Sequence, residues 1–267
     1  MSETTLPRWA RSAGSRGMPL PVVGTEGKPL RGTVTASGRG RRTMPARSPR
    51  RNSLRNPGDA FRGYRRVLAL GAHPDDVELG CAGTLVLARK AGADIHAAVM
   101  SHCEDEAPSK PDVRIGEFLR ACEVTGSKPH SYRLPNRELP EHRREVMDIL
   151  ERLQEDVRPD LVFVPFLEDP HQDHRTVAMA AVRTFRRDET ILEYEILRYG
   201  SHSFTPSVFV DVTEVLETKL AALRCYDSQF KARPYFDEES FRSLARTRGA
   251  QSGYAYSEGF VLYRMFW

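Results

Sequence analysis

The chain has 267 residues, 40% of them hydrophobic, and a formal net charge of +4. These values are typical of a globular protein that is long enough to bury a sizeable core. The sequence has no run of eighteen apolar residues and no N-terminal apolar segment of the secretory kind, so we expect neither a membrane span nor export and predict a cytoplasmic protein. Its four cysteines lack C-x-x-C spacing, which argues against a zinc knuckle or a disulfide framework.

The N-terminal quarter of the chain differs in composition from the rest. Residues 1–66 carry 15 Lys and Arg against 3 Asp and Glu, a net charge of +12, whereas the remainder carries 25 against 33, a net charge of −8. Because the segment is rich in Gly, Pro, Ser and Arg and has little periodic apolar content, we predict a disordered basic N-terminal arm over residues 1–65 and one folded domain over residues 66–267. No aromatic residues interleave the arginines of the stretch SGRGRRTMPARSPRRNSLRNPGD, and the folded part is acidic, so we do not expect nucleic-acid binding. We favour one of two interpretations of the arm: a solvated tail, or sequence that lies upstream of the true translation start.

From Arg66 the sequence alternates between short apolar runs and amphipathic stretches. The predicted strands are Val67–Gly71, Ile95–Ser101, Ser131–Leu134, Leu161–Pro165, Glu193–Tyr199, Ser207–Val212 and a last one near Gly259–Phe266. The predicted helices are Gly83–Lys90, Val113–Val124, Glu141–Asp156, His174–Phe185 and Thr213–Tyr226. This alternation predicts an α/β fold, with a Rossmann-like, mostly parallel sheet covered by helices on both faces. No G-x-G-x-x-G motif follows the first strand, which argues against dinucleotide binding.

Two polar clusters follow strands of this predicted sheet. The stretch AHPDD comes directly after the first strand and contains His73, Asp75 and Asp76, and the stretch PHQDH follows the DLVFV strand. Pro74 disfavours helical geometry at His73, so the imidazole can leave the strand end. Because an open parallel sheet binds its ligands at the carboxyl ends of its strands, we expect both clusters at the same edge.

The residue types of these clusters suit a catalytic metal. The second cluster offers His171, Asp173 and His174, and two histidines with one carboxylate and an open position form a ligand set of catalytic zinc sites that also suits non-haem Fe²⁺. An aspartate pair after a strand is often only a helix cap, but two clusters at one edge favour a metal site. The remaining histidines lack such company and are assigned structural roles, although His102 also ends a strand: His96, His102, His130, His142 and His202.

The motifs resemble those of the PIG-L or LmbE-like metal-dependent N-deacetylases, whose signatures are an (A/P)HPDD turn and a later H-x-D-H. Supporting segments are VRIGEFLRACEVTG, similar to the family's R-x-x-E helix, KLAALRCYDSQF, similar to its K-x-x-A…S-Q segment, and YSEGFVLYR, similar to its closing strand. The similarity extends from about Arg66 to Phe266 and does not cover the basic arm.

The resemblance implies a role for each motif residue. His73, Asp76 and His174 would be the metal ligands, and Asp75 would be the general base that takes a proton from metal-bound water. His171 would stabilise the tetrahedral oxyanion or protonate the leaving amine.

Three further residues receive roles from the same resemblance. Asp173 would be the partner that sets the charge and orientation of His171. Arg114, in the R-x-x-E helix, and Asn136, in LPNREL where an aspartate is common, are candidate substrate-binding residues.

The implied function is a zinc-dependent hydrolase that removes the N-acetyl group from an N-acetylglucosamine-type sugar conjugate, a small-molecule partner. Fe²⁺ or another divalent metal is an alternative cofactor. Two other functions stay open: an amidase that acts on another N-acyl conjugate with the same centre, and a catalytically silent metal- or sugar-binding protein. The intact Asp75 and His171 argue against the silent protein, because a site that only binds needs neither. The sequence leaves the oligomeric state open, a homo-oligomer included.

Overall fold

A computed structural model describes residues 57–106, 109–198 and 203–266. Residues 1–56 of the predicted basic arm, and His202, lie outside the described residues. The strands are β1 (Arg66–Gly71), β2 (Asp94–Val99), β3 (Lys128–Ser131), β4 (Leu161–Pro165), β5 (Thr190–Tyr194), β6 (Val208–Asp211) and β7 (Ser257–Arg264). The helices are α1 (Asp76–Lys90), α2 (Val113–Thr125), α3 (Arg143–Val157), α4 (Gln172–Thr184), α5 (Leu216–Arg224), α6 (Asp227–Ala232) and α7 (Glu238–Ser252). None of these helices is long and apolar enough to cross a membrane.

The strands form one sheet in the order β3-β2-β1-β4-β5-β7-β6. Strands β1 to β5 pair in parallel, and β7 runs antiparallel to both β5 and β6. The predicted α/β fold with a mostly parallel, Rossmann-like sheet is confirmed. From β1 the chain proceeds outward through β2 and β3 and then returns to β4 on the other side of β1. The topological switch point, where such sheets bind their ligands, therefore lies between β1 and β4.

Both faces of the sheet are covered, as consecutive residues of β1 show. Val67 and Ala69 belong to the core beneath α1, α2, α5 and α7, whereas Leu68 and Leu70 belong to the core beneath α3 and α4. All four side chains are fully buried. Because neither face of the central strands reaches solvent, polar chemistry is confined to the strand ends.

The folded domain extends ahead of the predicted boundary at Arg66. Pro57–Phe61 form a short 3₁₀-helix, and the ring of Phe61 is buried in the core on the α1 side of the sheet. A single aromatic residue after a long basic segment produces no periodicity, so composition alone assigned this stretch to the arm.

Helix α1 begins at Asp76, well before its predicted start at Gly83. Gly80 and Gly83 lower the helical signal of the sequence. Both lie where other elements approach the helix closely: a Cβ added to Gly80 would lie 2.1 Å from Cδ2 of Tyr194, and one added to Gly83 would lie 2.8 Å from Cγ1 of Val212. Tertiary packing therefore requires the residues that weaken the local propensity.

Helices α6 and α7 lie in the polar and aromatic stretch after α5, for which the sequence predicts no element. In α7 the buried residues are Phe241, Ala245, Arg248 and Gly249. Its buried face thus includes a charged residue, because the guanidinium of Arg248 pairs with the carboxylate of Glu195 at 2.6 Å. Such a face has little of the apolar periodicity that identifies a helix.

A buried ion pair joins α5 and β7 to the middle of α1. Lys219 Nζ lies 2.6 Å from Glu258 Oε1 and donates to the carbonyl oxygen of Leu79 at 2.8 Å. The Glu258 carboxylate accepts hydrogen bonds from the amides of Gly83 and Thr84 at 2.9 and 2.7 Å. Both charged side chains are buried. Each charge is therefore compensated by the other and by the backbone of α1, which connects three elements.

Replacing Lys219 by Met should lower the free energy of unfolding by about 3–5 kcal/mol, because the buried carboxylate of Glu258 loses its counter-charge. Urea denaturation followed by circular dichroism measures this difference. The matched control is Lys231→Met, which removes an exposed pair with Asp227 and should cost less than about 1 kcal/mol. Equal losses in the two variants would show that the buried pair does not stabilise the fold.

Candidate active site

The two polar clusters of the sequence meet at the switch point between β1 and β4. These strands pair in parallel, with Val67 opposite Leu161, so their carboxyl ends lie side by side. The ring centroids of His73 and His171 are 4.9 Å apart, and those of His73 and His174 are 5.3 Å apart. Histidines that are distant in the sequence thus form one group at the carboxyl edge of the sheet.

The carboxylate of Asp76 lies between two of these histidines. Its Oδ2 accepts hydrogen bonds from the amides of Ala72 and His73, both at 2.9 Å. The same oxygen lies 3.5 Å from His73 Nδ1, and Oδ1 lies 3.3 Å from His174 Nε2. The two amides hold the carboxylate at the end of β1, where one imidazole from each cluster faces it.

The opposite nitrogen of each of these histidines is bound by a buried carboxylate. Asp173 Oδ2 lies 2.9 Å from His73 Nε2, and Asp169 Oδ2 lies 3.0 Å from His174 Nδ1. Both aspartates are fully buried. Metal-binding histidines usually donate their second N–H to such a carboxylate, which leaves the other nitrogen's lone pair for the metal. The arrangement presents His73 Nδ1 and His174 Nε2 toward Asp76 as potential ligands.

This donor set fits a divalent cation. The two spacings around the Asp76 carboxylate are close to the value of about 3.4 Å that tetrahedral geometry gives for bonds of about 2.0–2.1 Å. Burial lowers the pKa of His174, but the charge of Asp76 and the hydrogen bond that His174 donates to Asp169 outweigh burial and raise that pKa to about 10. The cluster therefore attracts positive charge. His171 offers a further donor, since its ring nitrogen can lie within 4.8 Å of nitrogens of His73 and His174.

Asp75 has different surroundings from its neighbour Asp76. Its φ of 105° lies in the left-handed region, which costs a non-glycine residue about 1–3 kcal/mol. Its Oδ2 lies 3.1 Å from Arg114 Nη2, and the same nitrogen donates to the carbonyl oxygen of Pro74. Burial raises the pKa of Asp75 to about 6, while the charge of Arg114 opposes the increase. Asp75 therefore lines the cleft as a carboxylate that an arginine holds in place.

Arg114 is itself a buried residue, with 3% of its surface exposed. Its Nη1 donates to the carboxylate of Glu106. The sequence assigned Arg114 to substrate binding; its guanidinium does line the cleft, but its hydrogen bonds go to Asp75, Pro74 and Glu106. This geometry supports a different role for Arg114, which is to position the Asp75 carboxylate.

The tautomer of His171 follows from one hydrogen bond. Its Nδ1 accepts from the backbone amide of Asp173 at 3.2 Å, so the neutral ring carries its proton on Nε2. Burial, together with the charges of His174 and His73, lowers the pKa of His171 to about 4. The Asp173 carboxylate, expected to set the charge and orientation of His171, binds His73 and the amide of Arg137, and its charge opposes this decrease in the pKa of His171. Asp173 therefore orients His171 through its backbone.

An open cleft lies above this group. Asn136 lines it, and its amide nitrogen donates to the carboxylate of Asp105 at 2.9 Å. Arg233 and Tyr235 also line the cleft: Arg233 donates to Glu106 at 2.7 Å and to the Tyr235 hydroxyl at 2.8 Å. Charged and hydrogen-bonding groups thus surround the entrance.

Sequence reasoning did not assign roles to four of these residues, namely Asp169, Glu106, Arg233 and Tyr235. Asp169 lies two positions before His171 in EDPHQDH, so a carboxylate at that spacing is a usable signal. The other three come from segments without a motif, and only the fold brings them to the cleft.

The sequence model that describes the GlcNAc-PI de-N-acetylase (PIG-L) family matches residues 68–185, which include both clusters. The uncharacterized deacetylase YaiS of Escherichia coli (strain K12) is 32% identical over 168 residues, or 61% of this chain and 90% of that protein. The chain belongs to the PIG-L family.

Further similarities extend over more of this PIG-L chain. The diacetylchitobiose deacetylase of Thermococcus kodakarensis is 29% identical over an alignment of 231 positions that covers 75% of this chain and 84% of that protein. The crystal structure of the conserved protein TT1542 from Thermus thermophilus gives a TM-score of 0.64 at 29% identity and covers 76% of this chain and 96% of that one. The PIG-L chain is an enzyme, a deacetylase that hydrolyses the amide bond of an N-acetyl group.

Replacing Asp169 by Asn should weaken Zn²⁺ binding by about 10–100-fold, because a neutral amide holds His174 less firmly and lowers the basicity of its other nitrogen. Competition with a chromophoric chelator measures the affinity. The control is Glu168→Gln, which changes the exposed neighbouring carboxylate and should keep native affinity. Native affinity in Asp169→Asn would contradict a role for this carboxylate at the metal.

Proposed function

We propose that this PIG-L protein removes the N-acetyl group from an N-acetylglucosamine-type sugar conjugate, with a divalent metal, zinc first, held by His73, Asp76 and His174. The observation that carries the proposal is the contrast between two adjacent aspartates. Asp76 faces one nitrogen of each histidine, whereas Asp75 pairs with Arg114. These are the separate surroundings that a metal ligand and a proton acceptor require. The relative named diacetylchitobiose deacetylase supports the substrate class.

His73 Nδ1, His174 Nε2 and the Asp76 carboxylate would hold the metal. When bound, a divalent metal polarises an amide carbonyl and lowers the pKa of water to about 7. Zinc is proposed before Fe²⁺ because two histidines, a carboxylate and an open position form a common catalytic zinc set. Asp173 and Asp169 keep the two imidazoles in the required tautomers.

Asp75 is the general base of the proposed reaction. Its pKa of about 6 leaves it mostly ionised at neutral pH and still basic enough to accept a proton from the attacking water. Arg114 holds the carboxylate in the cleft and is a positioning residue. After the water oxygen bonds to the acetyl carbon, the C–N bond breaks, acetate forms, and the proton on Asp75 passes to the amine nitrogen.

His171 stabilises the tetrahedral oxyanion. Since its Nδ1 already accepts a hydrogen bond from the Asp173 amide and its pKa lies near 4, the ring is neutral at pH 7 with a donor at Nε2. Such a donor stabilises negative charge that develops on the acetyl oxygen. Asn136, at the cleft rim, stays our candidate for contact with the sugar.

Replacing each of the two aspartates in turn by asparagine separates their roles. Asp75→Asn should retain about one equivalent of zinc and lose at least ~10²-fold in the rate of acetate release, the lower range for a positioned base. Asp76→Asn should lose zinc as well as activity. Metal analysis and an acetate assay on a panel of N-acetylglucosamine conjugates measure both quantities. Zinc loss in Asp75→Asn with zinc retained in Asp76→Asn would reverse the assignment, and full activity in both variants would contradict the mechanism.

Replacing His171 tests whether this histidine is a metal ligand or a hydrogen-bond donor to the oxyanion. We expect His171→Ala to keep its zinc and to lose about 10²–10³-fold in kcat, as removal of an oxyanion donor does. His171→Gln, which retains an N–H donor, should recover part of that loss. Loss of zinc from His171→Ala would instead make the three histidines the ligand set.

The substrate panel also tests the class of substrate. Release of acetate from N-acetylglucosamine conjugates supports the proposal, whereas turnover confined to other N-acyl conjugates would identify an amidase with the same centre. A zinc-loaded protein that turns over neither class under any condition tested would contradict the proposed activity.

A further inference from the structure

His102 follows β2 at the carboxyl edge of the sheet, beside the turn that carries His73. The chain leaving β2 stays paired with that turn, because the amides of Met100 and Ser101 donate to the carbonyl oxygens of Gly71 and Ala72. Only 7% of the surface of His102 is exposed. Among the described atoms, neither of its ring nitrogens has a hydrogen-bond partner. Burying an imidazole that forms no hydrogen bond is energetically unfavourable unless its lone pair binds another group, such as a metal ion.

Two carboxylates lie next to this imidazole. A ring nitrogen of His102 and carboxylate oxygens of Glu104 and Asp112 lie within 4.8 Å of one another. Two atoms that bind one cation with bonds of about 2.0–2.2 Å lie about 3.4 Å apart in tetrahedral geometry, so at most a small approach brings these three groups to one shared cation. Glu104 and Asp112 are partly and largely exposed, so their side chains have room to move.

Arg133 is the cation that these carboxylates contact in the structure. It pairs with Glu104 and, at 3.1 Å, with Asp112 Oδ1, while 59% of its own side chain is exposed. The guanidinium therefore compensates the charge of the carboxylates, but among the described atoms none of its N–H groups donates to a ring nitrogen of His102. Burial and the charge of Arg133 lower the pKa of His102, which keeps the ring neutral and able to bind a metal.

We propose that His102, Glu104 and Asp112 form a second divalent-cation site, separate in its ligands from His73, Asp76 and His174, with Arg133 as the competing cation. One imidazole and two carboxylates suit a first-row metal such as Zn²⁺, with water completing the coordination.

A cation at the second site would connect two segments that form the walls of the cleft. Glu104 lies in the same 3₁₀ turn as Glu106, which holds Arg114, and Asp112 directly precedes the helix that contains Arg114. A cation bound by Glu104 and Asp112 would connect the two segments from which Arg114 and its partner Glu106 project. Occupancy of the site would therefore stabilise the positions of residues that line the cleft.

Isothermal titration of the metal-stripped full chain with Zn²⁺ tests the proposal. We expect two classes of site in the native chain. His102→Leu and Glu104→Gln/Asp112→Asn should each lose the weaker class, whereas His142→Leu, which removes a half-buried histidine beside a single carboxylate, should keep both. Arg133→Gln should tighten the weaker class by about two- to fivefold, the equivalent of one exposed ion pair. Circular dichroism establishes that each variant is folded.

A His73→Ala/His174→Ala chain separates this result from the proposed function. It should retain the weaker class alone and lose it on addition of His102→Leu. A single class of site in the native chain would overturn the proposal. So would a weaker class that survives both His102→Leu and Glu104→Gln/Asp112→Asn, or one that Arg133→Gln weakens.

Discussion

The geometry of the active site depends on the placement of one carboxylate. The Asp76 carboxylate accepts hydrogen bonds from two backbone amides at the end of β1. These bonds fix its position at the turn between β1 and α1. Because β4 is the neighbour of β1, the helix that follows β4 brings His174 to the other oxygen of this carboxylate. Any change in the order of the strands would separate these atoms. The approach of His174 to Asp76 therefore requires this strand order.

Each buried carboxylate of this region requires a partner that compensates its charge. Asp76, Asp169 and Asp173 are buried together, and the histidines next to them supply the compensating hydrogen bonds. Asp75 is also buried, but its backbone is in a left-handed conformation and its carboxylate pairs with Arg114 instead of a histidine. Two adjacent residues of one type thus acquire different chemistry, because charge separation in a low-dielectric interior requires distinct partners.

The core on the α1 side supports this arrangement from behind. Tyr194 on β5 packs against Gly80 and donates its hydroxyl hydrogen to the carbonyl oxygen of Leu70 at 2.7 Å, so one side chain contacts both α1 and β1. Lys219 and Glu258 hold the middle of the same helix. Since Asp76 is the first residue of α1, contacts that position this helix also position the Asp76 carboxylate. Residues far from the cleft therefore contribute to the precision of the site.

The sequence alone determined the α/β class, the limits of β4 and the residues of both clusters, since buried strands, amphipathic helices and paired polar motifs are local patterns. It placed the start of α1 too late and provided no sign of α7, because Gly80 and Arg248 are used there for tertiary contacts that oppose the local pattern. It also could not identify Glu106 or Arg233, which reach the cleft from segments without periodicity. Which of the adjacent aspartates faces the histidines was known only by resemblance. The tertiary structure decided it physically, because only the pairing of β1 with β4 brings His174 to Asp76 and leaves Asp75 to Arg114.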